Sequence, residues 1–194
     1  YVDLLAYHFS HIEKTYQEAL DGYVDLLAYH FSHSENSEKK RQYLLKAAEV
    51  AQAHYANSAS ISYYRQVLPL LPEDQQAAAL LKLGQILELV GNWDEAESVN
   101  RQAEIVSLQL NDAPRHARAQ RALGWLLRKQ GAYFGAEEWL VRARESYQEL
   151  NDKAGVSHVL SNIGELYRLQ GKFEEARRFY DESLSLADQI DDPR

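Results

Sequence analysis

The chain has 194 residues, of which 45% are hydrophobic and 26% charged, and its formal net charge is −8. That length suits one domain or a short solenoid, and the acidic balance argues against general affinity for nucleic acid or an anionic membrane. The absence of cysteine excludes a disulfide framework, Cys-ligated zinc and thiol catalysis.

A cysteine-free chain with no secretory signal and no bilayer-length apolar run fits a reducing, cytoplasmic setting. No methionine occurs, even at position 1, so the expectation is a piece of a longer protein. Residues 1–22 open with YVDLLAYHFSH, and the same string recurs at residues 23–33. Identity of that length is not repeat divergence; residues 1–22 are read as containing an artefact and are given no function. Residues 11–33 are expected to be helical, with a break at Gly22. His30 and His33 share a helical face, as do His8 and His11, but no third metal ligand is evident, so surface or packed histidines are expected.

Residues 23–72 form a looser helical region, with helices expected at about 37–55 and 58–71 and Asn57 as the turn residue between them. From residue 73 a stricter pattern begins. Gly84 and Gly91 recur as Gly124 and Gly131, then as Gly164 and Gly171, a period of 40 residues. Leu83, Leu123 and Ile163 keep the same register, as do Ala96, Ala136 and Ala176. The three units are 73–112, 113–152 and 153–194, and they end on Asn111-Asp112, Asn151-Asp152 and Asp191-Asp192. A unit repeated at this interval cannot bury its apolar face alone and stacks on its copies.

Each unit reads as two helices. Apolar residues at Ala77, Leu80, Leu81, Leu87 and Leu89 follow helical spacing, and Gly91 suits a left-handed helix end. Asn92 is placed to cap the next helix, with Glu95 answering it as a capping box. Gly84 and Ala96 are small because two helices are expected to pack closely there. The fold expected is all-α, a right-handed alpha-alpha superhelix of helical hairpins. The last unit leads toward Pro193-Arg194 much as Asn111-Asp112 leads into Pro114-Arg115, so the final helix is expected to lack a cover and to favour self-association.

The order Leu-Gly, Leu or aromatic, Gly, aromatic, Ala resembles the tetratricopeptide repeat, and residues 73–192 carry it in full. The 40-residue period is similar to the longer-helix variant of signalling adaptors and bacterial regulators. Residues 23–72, with Leu-Ala-Tyr-His, Tyr-Leu-Leu-Lys-Ala-Ala and the Tyr-Ala-Asn turn, resemble the segment that follows the ATPase domain in bacterial STAND-type ATPase and nucleotide cyclase proteins. That resemblance implies a regulatory tail.

No Gly-rich phosphate loop and no His-Glu-x-x-His is present, so neither nucleotide hydrolysis by that route nor zinc peptidase chemistry is expected. No cofactor motif is evident, and the chain is read as non-catalytic. The notable charge feature is a local reversal: residues 113–136 hold no acidic residue but do hold Arg115, Arg118, Arg121, Arg128 and Lys129, with His116 among them. The family resemblance implies that the first helix of each hairpin lines a concave wall. It turns Arg118, Arg121, Trp125 and Arg128 inward in the middle unit, and His158, Ser161, Asn162, Glu165 and Arg168 in the last. The expectation is a cationic groove with an exposed Trp125, in which Arg118, Arg121, Trp125, Arg128, Lys129, His158, Asn162 and Arg168 bind a peptide or protein carrying acidic groups. The alternative is a ligand-sensing tail that takes an anionic small molecule. A third possibility is a solvated cationic face partly paired with Glu88 or Glu165. Trp93 and Trp139 are expected to pack between helices.

Overall fold

The computed structural model describes residues 20–191, so the first copy of the duplicated string, with His8 and His11, lies outside the described residues. A 3-10 turn at Leu20–Tyr23 spans Gly22 and leads into α1 (Val24–Ser32). There follow α2 (Ser37–Ala53), α3 (Asn57–Val67), a second 3-10 turn (Leu68–Leu70), α4 (Glu73–Leu89), α5 (Trp93–Gln109), α6 (Ala113–Lys129), α7 (Tyr133–Glu149), α8 (Lys153–Leu169) and α9 (Phe173–Asp191). Every regular element among the described residues is helical. The chain divides into two units, Tyr1–Ala79 and Leu80–Arg194.

In the first unit α1, α2 and α3 bury Leu27, Phe31, Leu44, Ala47 and Tyr64. Phe31 stacks on Tyr43 with ring centroids 5.1 Å apart. Ser60 is a small residue that closes α3 on α2, its hydroxyl donating to the Ala48 carbonyl at 2.8 Å. Two expectations are corrected here. The turn residue is Tyr55, which takes the left-handed conformation at φ 58, whereas Asn57 already begins α3. Proline at position 69 ends the α-helical run early, so α3 stops at Val67 and tightens into the 3-10 turn. His33 caps α1 through Nδ1, 2.8 Å from the Tyr29 carbonyl.

In the second unit the punctuation of the repeat has a physical cause. Between the helices of each hairpin, Gly91, Gly131 and Gly171 adopt φ of 80°, 79° and 75°, where a side chain is strained. Between hairpins the same left-handed step is made by Asn111 and Asn151, each at φ 54. The aspartate that follows then caps the next helix: Asp112 accepts from the Arg115 amide at 3.1 Å and Asp152 from the Gly155 amide at 2.9 Å. One Asn-Asp pair thus ends one helix and starts the next. The capping box expected at Asn92 is absent; the Asn92 amide donates to the Glu95 carboxylate at 2.7 Å and accepts nothing from the helix.

Close helix approach is confirmed at the recurrent glycines. An added Cβ at Gly124 would lie 2.6 Å from Leu140 Cγ and 3.1 Å from the Ala136 carbonyl, and at Gly164 it would meet Tyr180 and the Ala176 carbonyl. At Gly84 the nearest neighbour is Asn100, whose Cγ would be 2.9 Å away. Ala117, Leu140, Leu160, Ile163 and Leu166 form the core between α6, α7 and α8. Where the third unit has Ser183 in place of Ala103 and Ala143, its hydroxyl donates to the Ser157 carbonyl at 2.8 Å and Ser157 donates back to the Ser183 carbonyl at 2.9 Å.

Candidate functional site

The eight residues singled out from sequence all lie on α6 and α8, the first helices of their hairpins. The structure separates them into two groups.

The first group is already satisfied from within the protein. Trp125, one position after Gly124, is half-buried, and its indole N–H donates to Glu88 Oε1 on α4 at 2.7 Å. The same carboxylate oxygen lies 2.7 Å from Lys129 Nζ. The Arg128 guanidinium lies over the Trp125 ring, 4.1 Å from its centroid, and Lys129 Nζ lies 5.5 Å from it. Arg128 is only 9% exposed, and its Nη1 is 3.6 Å from Glu165 Oε1 on α8. Glu165 in turn receives Arg168 through Nε and Nη2, both at 2.7 Å, and the Tyr180 hydroxyl at 2.9 Å. The Arg168 hydrogen bonds, with Tyr180 and the Arg128 charge adding to them against the effect of burial, hold the Glu165 carboxyl down to about 2.

The expectation of an exposed Trp125 at a cationic centre is therefore corrected. Glu88 reaches from α4 to the indole N–H and Lys129, and Glu165 pairs with Arg128 across from α8 and with Arg168 on its own helix.

The second group has no internal carboxylate. Arg118 and His158 are exposed and Arg121 is half-buried; none of the three makes an ion pair among the described residues. Arg121 and Arg118 both lie near the buried Tyr147 hydroxyl, whose pKa is raised by burial and pulled back by the two arginines. Asn162, next along the α8 face, is 7% exposed, and its Nδ2 has no acceptor. Arg121 Nε and Arg128 Nε are likewise buried without one.

Tyr147 and Tyr180 are residues that the sequence did not place at the site, whereas Glu88 and Glu165 entered it as partners in the solvated-face alternative. Their signal was the repeat register. Trp125 and Glu88 are 37 positions apart, three short of the repeat, and Arg128 meets Glu165 by the same step. Elsewhere in the unit His116 Nε2 on α6 is 2.9 Å from Glu104 on α5, and Trp139 lies between Arg101 and Arg142 at 5.8 and 4.9 Å from its centroid. Trp139 thus packs between second helices as expected, whereas Trp93 stands 40% exposed at the start of α5. Among the described residues no group of three or more His, Cys, Asp or Glu could hold a metal ion, and no helix is long and apolar enough to cross a membrane.

This arrangement of stacked helical hairpins, with first helices side by side, is that of a repeat scaffold. The tetratricopeptide repeat family matches residues 75–149 and again 126–189, and the chain belongs to that family. Among solved structures it is similar in fold to the apo form of RapI, with a TM-score of 0.78 at 15% identity over 95% of this chain and 68% of that one. A Rap protein complexed with competence and sporulation factor gives a TM-score of 0.69 at 21% identity, covering 91% of this chain and 52% of that one. In sequence, residues of this chain are 37% identical over 79 positions to the protein O-mannosyl-transferase Tmtc1 of Drosophila melanogaster. That stretch is 40% of this chain and 8% of the transferase, so the chain spans a small fraction of that relative's length.

Proposed function

We propose that this protein is a non-catalytic interaction module whose α4, α6 and α8 wall holds an extended segment of a partner protein, with an acidic group of that segment on Arg118, Arg121 and His158. The observation that carries this reading is charge without counter-charge: Arg118, Arg121 and His158 make no ion pair among the described residues, whereas Arg128, Lys129 and Arg168 are each held by Glu88 or Glu165. An incoming carboxylate would supply the missing counter-charge. The register that carries Trp125 to Glu88 supports His158 lying opposite Arg121, which would complete a two-helix cation pair. The Rap protein with its bound factor lends support by showing that a scaffold of similar fold can accept a ligand.

The reading is tested by titrating a dye-labelled octaglutamate peptide and following anisotropy. Arg121→Glu and Arg118→Glu are each expected to weaken binding about tenfold or more, as loss of a charge-assisted contact implies, with unchanged far-ultraviolet circular dichroism. Unchanged affinity in both variants, or equal binding of octalysine, would overturn it.

A further inference from the structure

Resting on that reading of the wall, we infer that Glu88 and Glu165 are built-in competitors for the partner's acidic groups, and that they restrict those groups to the Arg118 and Arg121 end of the wall. The geometry is that of an occupied site. Glu88 Oε1 already takes both the Trp125 indole and the Lys129 ammonium at 2.7 Å. Glu165 takes both arms of Arg168 at 2.7 Å and stands 3.6 Å from Arg128. A carboxylate arriving at Trp125, Arg128 or Lys129 must displace one of these or sit beside it, and two like charges so placed repel.

The wall is therefore polarised. Near the start of α6 and α8 it offers cations with no internal counter-charge. Near their ends it offers Trp125 flanked by the neutralised cations Arg128 and Lys129. The partner that fits is a segment with its acidic residues clustered at one end and a neutral, partly apolar stretch at the other. A uniformly acidic segment fits less well. The two glutamates act as specificity-determining residues, since they define by repulsion what the second half of the groove refuses.

The experiment uses octaglutamate as probe against four proteins: the natural chain, Glu88→Gln, Glu165→Gln and Glu97→Gln. Glutamine keeps an acceptor for Trp125 at position 88 and for Tyr180 at position 165 while removing the charge. Glu97 pairs with Arg101 on α5, away from the wall, and serves as control. Removing either competing charge is expected to tighten octaglutamate binding about two- to fivefold, the scale of a partly exposed ion pair, and to steepen the loss of affinity with salt. Glu97→Gln should change neither. A second probe with four glutamates followed by four neutral residues is expected to gain less from the glutamine variants than octaglutamate does.

If the natural chain binds octaglutamate in an Arg121-dependent way while both glutamine variants bind it no more tightly, the competitor role is overturned and the groove reading stands. If no protein of the set binds the probe, the groove reading itself falls, and this inference with it. Glu88 and Glu165 lie on different helices, so a folding defect in one variant leaves the other to decide.

Discussion

Replacing Gly155 by alanine drives a methyl group into the Tyr147 ring. An ideal Cβ at Gly155 would lie 2.5 Å from both Cγ and Cε1 of Tyr147, far inside van der Waals contact. The ring is 4% exposed and belongs to the core that includes Val156, Leu160 and Ile163, so it has no open direction in which to retreat. Overpacking of this kind costs about 1–3 kcal/mol. Alanine returns part of this through helix propensity, about 0.5–1 kcal/mol, and less in the first turn of α8 where Gly155 sits. The expected net loss is about 1–2 kcal/mol, or a midpoint lower by roughly 2–8 °C. Urea and thermal unfolding followed by circular dichroism measure it. A double-mutant cycle with Tyr147→Leu should show favourable coupling of about 0.5 kcal/mol or more, because the smaller side chain relieves the clash. A Gly155→Ala protein as stable as the natural chain, or a cycle with no coupling, would refute the claim that Tyr147 dictates glycine there.

Gly131→Ala meets no steric neighbour but must hold φ near 79°, so it is expected to lose about 1 kcal/mol in urea unfolding, and Gly131→Asn less. Ser183→Ala removes the hydroxyl that serves Ser157 and Ser161 and should cost about 1 kcal/mol, with little structural change because Ala103 and Ala143 occupy the same register. Glu165 gives a pH signature. Its folded pKa is depressed, from 4.5 to about 2, so its stabilising contribution is fully present above pH 4.5 and disappears as pH falls toward 2. Urea midpoints taken across that window should fall less steeply for Glu165→Gln than for the natural chain, and equal slopes would exclude the assignment.

The hairpin fold was legible because it is written in local, repeated features. Glycines at fixed register, small residues at Gly84, Gly124 and Gly164, and apolar residues at helical spacing each act within one hairpin or between immediate neighbours. The first unit was less legible because it lacks the glycine signal: Tyr55 makes its left-handed turn with a side chain that gives no hint of it. At the wall, sequence spacing showed which residues share the face of α6 and offered Glu88 and Glu165 as counter-charges, but not which cation each one takes. Trp125 read as exposed because its hydrogen-bond partner is on another hairpin. Arg128 read as a partner-binding cation because neither the Trp125 face beneath it nor Glu165 beside it is a neighbour along the chain.

The step that joins Glu88 to Trp125 and Arg128 to Glu165 has a consequence for repeat order. Each hairpin presents at the end of its first helix a group matched to the one that follows: an acid for an indole and an ammonium, then a guanidinium for an acid. Deleting the middle hairpin would bring Glu88 against Glu165, two carboxylates in a space shaped for opposites. Hairpins that look interchangeable by their glycines are thus keyed, like dovetails of alternating sign, to one sequence of assembly.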